Sequence, residues 1–192
     1  MTEEFELACT AIQSGDLVVY PTETVYGLGA DALDPVAIER VFAAKNRPHS
    51  KPISVAVHGL DAVYEYARLT PREEEFIEAF LPGPVTVVVE KDASVPDVLT
   101  AGSDRVGIRI PDHELAQRLL ERVGPLTATS GNVSGNPSAS RVAEIDARIR
   151  DHTAVVLDGG ETAGGGSTVV DVATETIHRR GARVKRVERW FE

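Results

Sequence analysis

Lys45, Arg47 and Lys51 fall within seven residues that contain no acid, in a chain whose 30 Asp and Glu outnumber its 20 Lys and Arg. Cations gathered against the prevailing charge fit a ligand with several negative charges, such as a nucleoside triphosphate. A helix ending near Lys45 would also collect basic residues there through its dipole, and Pro48 disfavours helical geometry at Arg47, so a plain helix terminus accounts for the same cluster. Residues 21–29, Pro-Thr-Glu-Thr-Val-Tyr-Gly-Leu-Gly, place two hydroxyls, a carboxylate and two glycines in one turn. There Thr24 could present its hydroxyl to a small polar ligand, with the glycines permitting close backbone approach. An ordinary strand-to-loop connection would look similar.

Residues 129–137, Thr-Ser-Gly-Asn-Val-Ser-Gly-Asn-Pro, could offer hydroxyls and backbone N–H groups to phosphate. They form neither a Walker loop, which needs Gly-Lys-Ser/Thr, nor a nucleophile elbow, because Ser134 comes one place late. Gly164–Gly166 before Ser167 resembles no Walker loop either and reads as a flexible connector. His49, His58, His113, His152 and His178 include no i, i+4 pair, and Cys9 is the single cysteine, so no structural metal site is expected. Chain order offers no Ser/His/Asp set, and no catalytic nucleophile is assigned.

The elements that must carry these segments alternate. An apolar stripe at Phe5, Leu7, Ala8, Ala11 and Ile12 predicts a first helix, and Leu17–Tyr20 a buried strand. Asp34-Pro35 and Thr70-Pro71 each pair a capping side chain with proline at the first helical position. Strands are expected at 53–57, 85–90, 106–110, 126–129, 154–157 and 168–172, with further helices near 112–122 and 140–150. The pattern predicts an α/β domain with a mixed sheet, with its polar and Gly-rich segments at strand ends, where such sheets place ligands.

Composition narrows the function classes. With 42% hydrophobic and 26% charged residues the chain is globular, and a net charge of -10 argues against a protein that coats nucleic acid. Lys45, Lys51, Lys91 and Lys185 are the only lysines, and an acidic, Lys-poor surface of this kind suggests a salt-loving source. The last fourteen residues reverse the sign: Arg179, Arg180, Arg183, Lys185, Arg186 and Arg189 face only Glu188 and Glu192. That tail reads as a solvated strand face, or as a contact to an anionic ligand or RNA. A lone cysteine, an acidic start and no apolar run near the length of a membrane span predict a cytoplasmic protein that makes no membrane contact.

In this order the segments resemble the YrdC family, the threonylcarbamoyl-AMP synthases that begin biosynthesis of N6-threonylcarbamoyladenosine in tRNA. The resemblance runs from about residue 5 to 185 and rests on seven motifs: 21–29, Lys-Asn-Arg-Pro at 45–48 with Lys51-Pro52-Ile53, Leu-Pro-Gly-Pro-Val-Thr at 81–86, Val-Gly-Ile-Arg-Ile-Pro at 106–111, 129–135, Ser-Thr-Val-Val-Asp at 167–171, and Ile177, Arg179, Gly181. It implies a single YrdC-like domain over 1–192 in a short form, with a twisted mixed sheet flanked by helices and a concave basic cavity. It also implies that L-threonine, bicarbonate or CO2, and ATP give threonylcarbamoyl-adenylate and pyrophosphate, with Mg2+ accompanying the ATP and a tRNA threonylcarbamoyl transferase complex downstream. Carried over motif by motif, Thr24, Arg109 and Ser167 would hold threonine, and Lys45, Arg47, Lys51, Ser130, Asn132, Ser140 and Arg179 would hold ATP. Relatives often place histidine where this chain has Ala56, and Gly131 replaces the usual small residue of its motif. The alternative is a non-catalytic RNA-binding or ribosome-associated module using the same basic surface, and a weak RNA contact is also compatible with the enzyme.

Overall fold

The computed structural model describes residues 2–192. In chain order the elements are α1 (Thr2–Gln13), β1 (Val18–Tyr20), β2 (Gly27–Gly29), α2 (Pro35–Lys45), β3 (Ser54–Ala56), α3 (Leu60–Val63), β4 (Ala67–Arg68), α4 (Pro71–Phe80), β5 (Val85–Lys91), α5 (Asp97–Thr100), β6 (Arg105–Arg109), α6 (Glu114–Val123), β7 (Leu126–Ser130), a 3-10 turn (Val142–Glu144), α7 (Ala147–Asp151), β8 (Val155–Val156), β9 (Thr168–Asp171), β10 (Thr176–Arg179) and α8 (Val184–Phe191). The strands join in one mixed sheet of order β10-β9-β5-β6-β3-β7-β2-β1-β8, with β4 added on β5. Pairs β1–β8, β3–β6 and β5–β9 are parallel, and the others are antiparallel. This is the mixed α/β architecture that the alternating pattern predicts.

Both predicted caps form. The Asp34 carboxylate accepts from Val36 N at 2.8 Å. Thr70 and Glu73 close a capping box around Pro71, in which the Thr70 hydroxyl accepts from Glu73 N and the Glu73 carboxylate accepts from Thr70 N. The helix expected over 140–150 is instead a 3-10 turn and the short α7, because Ile145 is extended and Asp146 caps a new start by accepting from Arg148 N. The basic tail is not a strand face. Arg179 ends β10, and residues 184–191 form α8 because Val184, Val187 and Phe191 recur at helical spacing, with Val187 buried and Trp190 set edge-on to Phe76 at 4.9 Å.

The two sheet faces have different fates. Val55, Val87, Ile108 and Val170 point to the larger core, which is shared with Phe42 of α2, Phe76 of α4 and Val187 of α8. The smaller core packs Phe5 and Ile12 of α1 and Leu119 of α6 against Val18, Tyr20, Ala56 and Leu126. Strand residues one place out of step with the larger core therefore face the second side, where Ser54, Val88, Arg105, Gly107, Arg109 and Val169 line a cavity. Gly107 sits on its floor, and a Cβ there would meet Ser54 Oγ at 2.3 Å, Ser54 Cβ at 3.0 Å and Thr86 Cγ2 at 3.1 Å.

Gly107→Ala should therefore lower stability by about 1–3 kcal/mol through overpacking of the floor. Because Ser54 Oγ is the nearest obstacle, adding Ser54→Ala should recover part of the loss, as read by urea denaturation in a double-mutant cycle.

Candidate active site

Loops leaving the strands close the cavity, whose volume is about 610 Å3, within the range usual for small-molecule sites. Thr24, Arg47, Arg109, Ser130, Ser167 and Arg179, all singled out in the sequence, line it together. Arg47 reaches it because α2 stops abruptly: Asn46 adopts a left-handed conformation (φ 48°) and donates to Ala43 O, while Arg47 N donates to Phe42 O. The Arg47 guanidinium is then steered by two carbonyls, donating from Nε to Lys51 O (3.0 Å) and from Nη2 to Pro52 O (2.8 Å). Arg179 is anchored on Ser167, donating from Nε to its carbonyl (2.9 Å) and from Nη2 to its hydroxyl (2.7 Å). Ser167 is buried and also meets the Thr86 hydroxyl at 2.9 Å.

Thr22 organises the 21–26 turn. Its hydroxyl donates to Val25 O at 2.7 Å, so the 3.0 Å contact between the two threonine hydroxyls uses the proton of Thr24. Thr24 Oγ1 in turn accepts from Arg109 Nη2 at 2.9 Å, and the same nitrogen donates to Glu23 Oε1 at 2.8 Å. Glu23 Oε2 accepts from Asp112 N at 3.2 Å, fixing the carboxylate at both ends. Arg109 Nε is buried with no acceptor among the described residues.

Lys45, Lys51, Asn132 and Ser140 lie outside the cavity lining. Lys45, 1% exposed, points its ammonium at the carbonyls of Ser130 and Asn132, the second at 2.7 Å, while its own carbonyl accepts from Ser134 N. It pins the loop that carries Ser130. Asn132 Nδ2 donates to Val133 O and Asn136 O, which sets the curvature of that loop. Lys51 contributes its backbone carbonyl to Arg47 and keeps an exposed side chain. The Ser140 hydroxyl donates to Glu144, and Ser138, two residues earlier, forms part of the wall. The Gly-rich segment crosses nearby on fixed tethers: Tyr26 Oη donates to Gly160 O, Thr162 N to Ser140 O, and Gly164 N to Thr24 O.

Sequence reading also missed lining residues. Tyr20, Ser54, Arg105, Asp171 and His178 all reach the cavity. Arg105 carried a legible signal, because Arg105, Gly107 and Arg109 alternate with buried Val106 and Ile108 on one strand. His178 carried none.

The four cavity arginines divide by partner. Arg105 pairs with Asp171 at 2.8 Å and Arg109 with Glu23 at 2.8 Å, whereas Arg47 and Arg179 make no ion pair with a carboxylate among the described residues. Burial, and then the charge of Arg179, make the Arg47 guanidinium less willing to hold its proton. Two like charges that approach each other without a counter-charge make a site that an anion stabilises.

Fold and site together define an α/β protein with a cavity of arginines and hydroxyls set across the strands of a mixed sheet. The chain belongs to the Sua5/YciO/YrdC family, whose model, described as "Telomere recombination", matches residues 10–181. That membership bears out the resemblance read from the motifs. A Pyrococcus abyssi threonylcarbamoyl-AMP synthase is 41% identical over 88% of this chain, which spans about half (52%) of that relative's length. A threonylcarbamoyl-AMP synthase of Photobacterium profundum is 31% identical over 93% of this chain and 100% of its own length. The crystal structure of P. abyssi Sua5 complexed with L-threonine superposes with a TM-score of 0.89 at 38% identity, covering 95% of this chain and 56% of that one.

Burial, with the Arg47 charge acting in the same direction, lowers the Lys45 pKa from 10.5 to about 7. The unfolded chain keeps this proton up to about pH 10.5, so between the two values it binds more protons than the folded state and stability rises with pH. The urea midpoint of the wild-type protein should accordingly climb between pH 7 and pH 10 relative to Lys45→Met, which lacks the titrating group. Parallel curves for the two proteins would contradict this.

Proposed function

We propose that this chain is a threonylcarbamoyl-AMP synthase, acting on L-threonine, bicarbonate or CO2, and ATP. The observation that carries the reading is the unneutralised pair Arg47 and Arg179 in one cavity with Ser130, Ser167, Thr24 and Arg109. A polyphosphate answers the first two residues, and a carboxylate answers Arg109, which lines the cavity with its Nη1 hydrogen-bonded to no described residue. The names of the Pyrococcus and Photobacterium relatives support the same chemistry. The continuous sheet supports treating residues 1–192 as one domain.

In the reaction the neutral threonine amine adds to the carbon of CO2 and gives up one proton to solvent, forming a carbamate, and a carbamate oxygen attacks the α-phosphorus of ATP. The bond from that phosphorus to the bridging oxygen breaks, and pyrophosphate leaves with its electrons. Such a step requires alignment and charge neutralisation more than a protein nucleophile. Arg47 and Arg179 neutralise the departing phosphates, Ser130 contributes a hydroxyl at the strand end, and Arg109 orients the amino acid.

Mg2+ accompanying the nucleotide would add further charge compensation on the phosphates. The residues present fit an ion that arrives on those phosphates with its own waters. Among the described residues no three His, Cys, Asp or Glu side chains gather as a ligand set, and Asp171 and Glu23 beside the cavity are engaged by arginines. The adenylate would pass to a transferase complex that modifies tRNA, which puts the work in the cytoplasm. Among the described residues no helix is long and apolar enough to cross a membrane. A purely RNA-binding role is the weaker reading, because Arg47 and Arg179 line one concave cavity together with Thr24, Ser130 and Ser167, a small-ligand set that an RNA surface does not need.

Pyrophosphate release that requires threonine, bicarbonate and ATP together tests the proposal, and release without threonine would reject it. In that assay Arg47→Ala and Arg179→Ala should each raise the KM for ATP by about tenfold or more, the loss of a charge-assisted contact. Arg186→Ala should stay near wild type, since Arg186, on α8, donates to Ala79 O and lies over the Phe80 ring of α4. Equal effects at positions 179 and 186 at one ionic strength would remove Arg179 from the nucleotide site.

A further inference from the structure

Tyr20 ends β1 with 2% of its surface exposed and its ring pressed beneath β2. A Cβ on Gly29 would come within 2.8 Å of Tyr20 Cε1, and one on Gly27 within 3.1 Å of Cζ. Two side-chain-free positions on the neighbouring strand therefore admit this ring, and the packing fixes where its hydroxyl goes. Tyr20 forms part of the cavity wall beside Ala56 and Arg109, and its hydroxyl makes no hydrogen bond to a described residue. Buried tyrosines ordinarily satisfy their hydroxyl. Here the hydroxyl has no partner and is not sealed in the protein either, which leaves it open to the cavity that Tyr20 lines.

A second donor at this end of the cavity is also open, Arg109 Nη1, which makes no hydrogen bond to a described residue, whereas Nε is sealed within the protein. Both hydrogens of Arg109 Nη2 are already committed to Glu23 and Thr24. Ala56, on β3, brings only a methyl group to the wall. Polar recognition on that stretch therefore falls to Tyr20. Burial, tempered by Arg109 and then reinforced by Glu23, pushes the phenol up to about 12, so it remains a donor at every physiological pH.

We propose that the Tyr20 hydroxyl is a substrate-recognition group, donating with Arg109 Nη1 to the carboxylate of the amino acid. This inference rests on the synthase reading and assigns a residue to the amino-acid end of that site. A phenol and a guanidinium edge present two donors to a group with two acceptor oxygens, a match that a hydroxyl or methyl on the ligand would not complete.

Tyr20→Phe tests it cleanly, because the ring stays under Gly27 and Gly29 and only an oxygen without a protein partner is lost. Threonine-dependent pyrophosphate release and calorimetric titration with L-threonine are measured on the wild-type and variant proteins from pH 6 to 9, together with the thermal midpoint. The expected result is an unchanged midpoint, an ATP KM within twofold of wild type, and a threonine KM and Kd raised about tenfold by the same factor at each pH. Unchanged threonine constants in the variant, with an active wild type, would overturn the role of Tyr20 and leave the synthase reading standing. A wild-type protein that neither binds threonine nor releases pyrophosphate with it would overturn both.

Discussion

Carbonyl oxygens hold the cations that matter here. Arg47 leans on Lys51 O and Pro52 O, Arg179 on Ser167 O, and Lys45 on the carbonyls of Ser130 and Asn132. A dipole orients a guanidinium without cancelling its charge, whereas a carboxylate does both. In a chain with 30 acidic residues, keeping carboxylates off Arg47 and Arg179 takes specific local structure. The left-handed Asn46 supplies it on one side, and the Ser167 anchor supplies it on the other. Arg105 and Arg109, tied to Asp171 and Glu23, show the other arrangement, in which an ion pair fixes geometry and lowers the demand for a ligand anion.

The sheet turns this local arrangement into a site. Its period of two sends Val106 and Ile108 to one side and Arg105, Gly107 and Arg109 to the other, so β6 stabilises the larger core and furnishes the cavity floor with the same five residues. The parallel pairing of β5 with β9 sets Thr86 beside Ser167, and the antiparallel pairing of β2 with β7 brings the 21–29 segment to Ser130. Segments far apart in the chain thereby meet over a single cavity.

Much of this was legible in the sequence, for identifiable reasons. Helices α2 and α4 announce themselves through Asp34-Pro35 and Thr70-Pro71, and β5 and β7 through β-branched and apolar runs bounded by turn residues. β2 was missed because Gly-Leu-Gly has almost no side-chain pattern, and its glycines are there for the Tyr20 ring. α8 was missed because six cations dominate the tail, while its apolar positions declare themselves only against Phe76. At the site, residue types predicted which segments converge but could not separate a cation that faces the cavity from one that braces a loop. Lys45 and Arg47 are two positions apart in one motif, and a left-handed residue between them sends one inward to carbonyls and the other to the cavity. The spacing of Ser138 and Ser140 hid the same kind of division.

The tethers on the Gly-rich segment have a consequence for how the chain can vary. Tyr26 holds position 160, Ser140 holds 162 and Thr24 holds 164, and the segment contributes only peptide groups to these three bonds. Identity is constrained at the fastened positions by the positive φ values of Gly160 and Gly164 and by the Thr162 hydroxyl, which also donates to Ser140 O, and is freer at 161 and 163 between them. Length is strongly constrained. A one-residue deletion between 160 and 164 shifts every later fastening out of phase, so homologous chains should tolerate exchange of letters in this stretch far more readily than a change in their number.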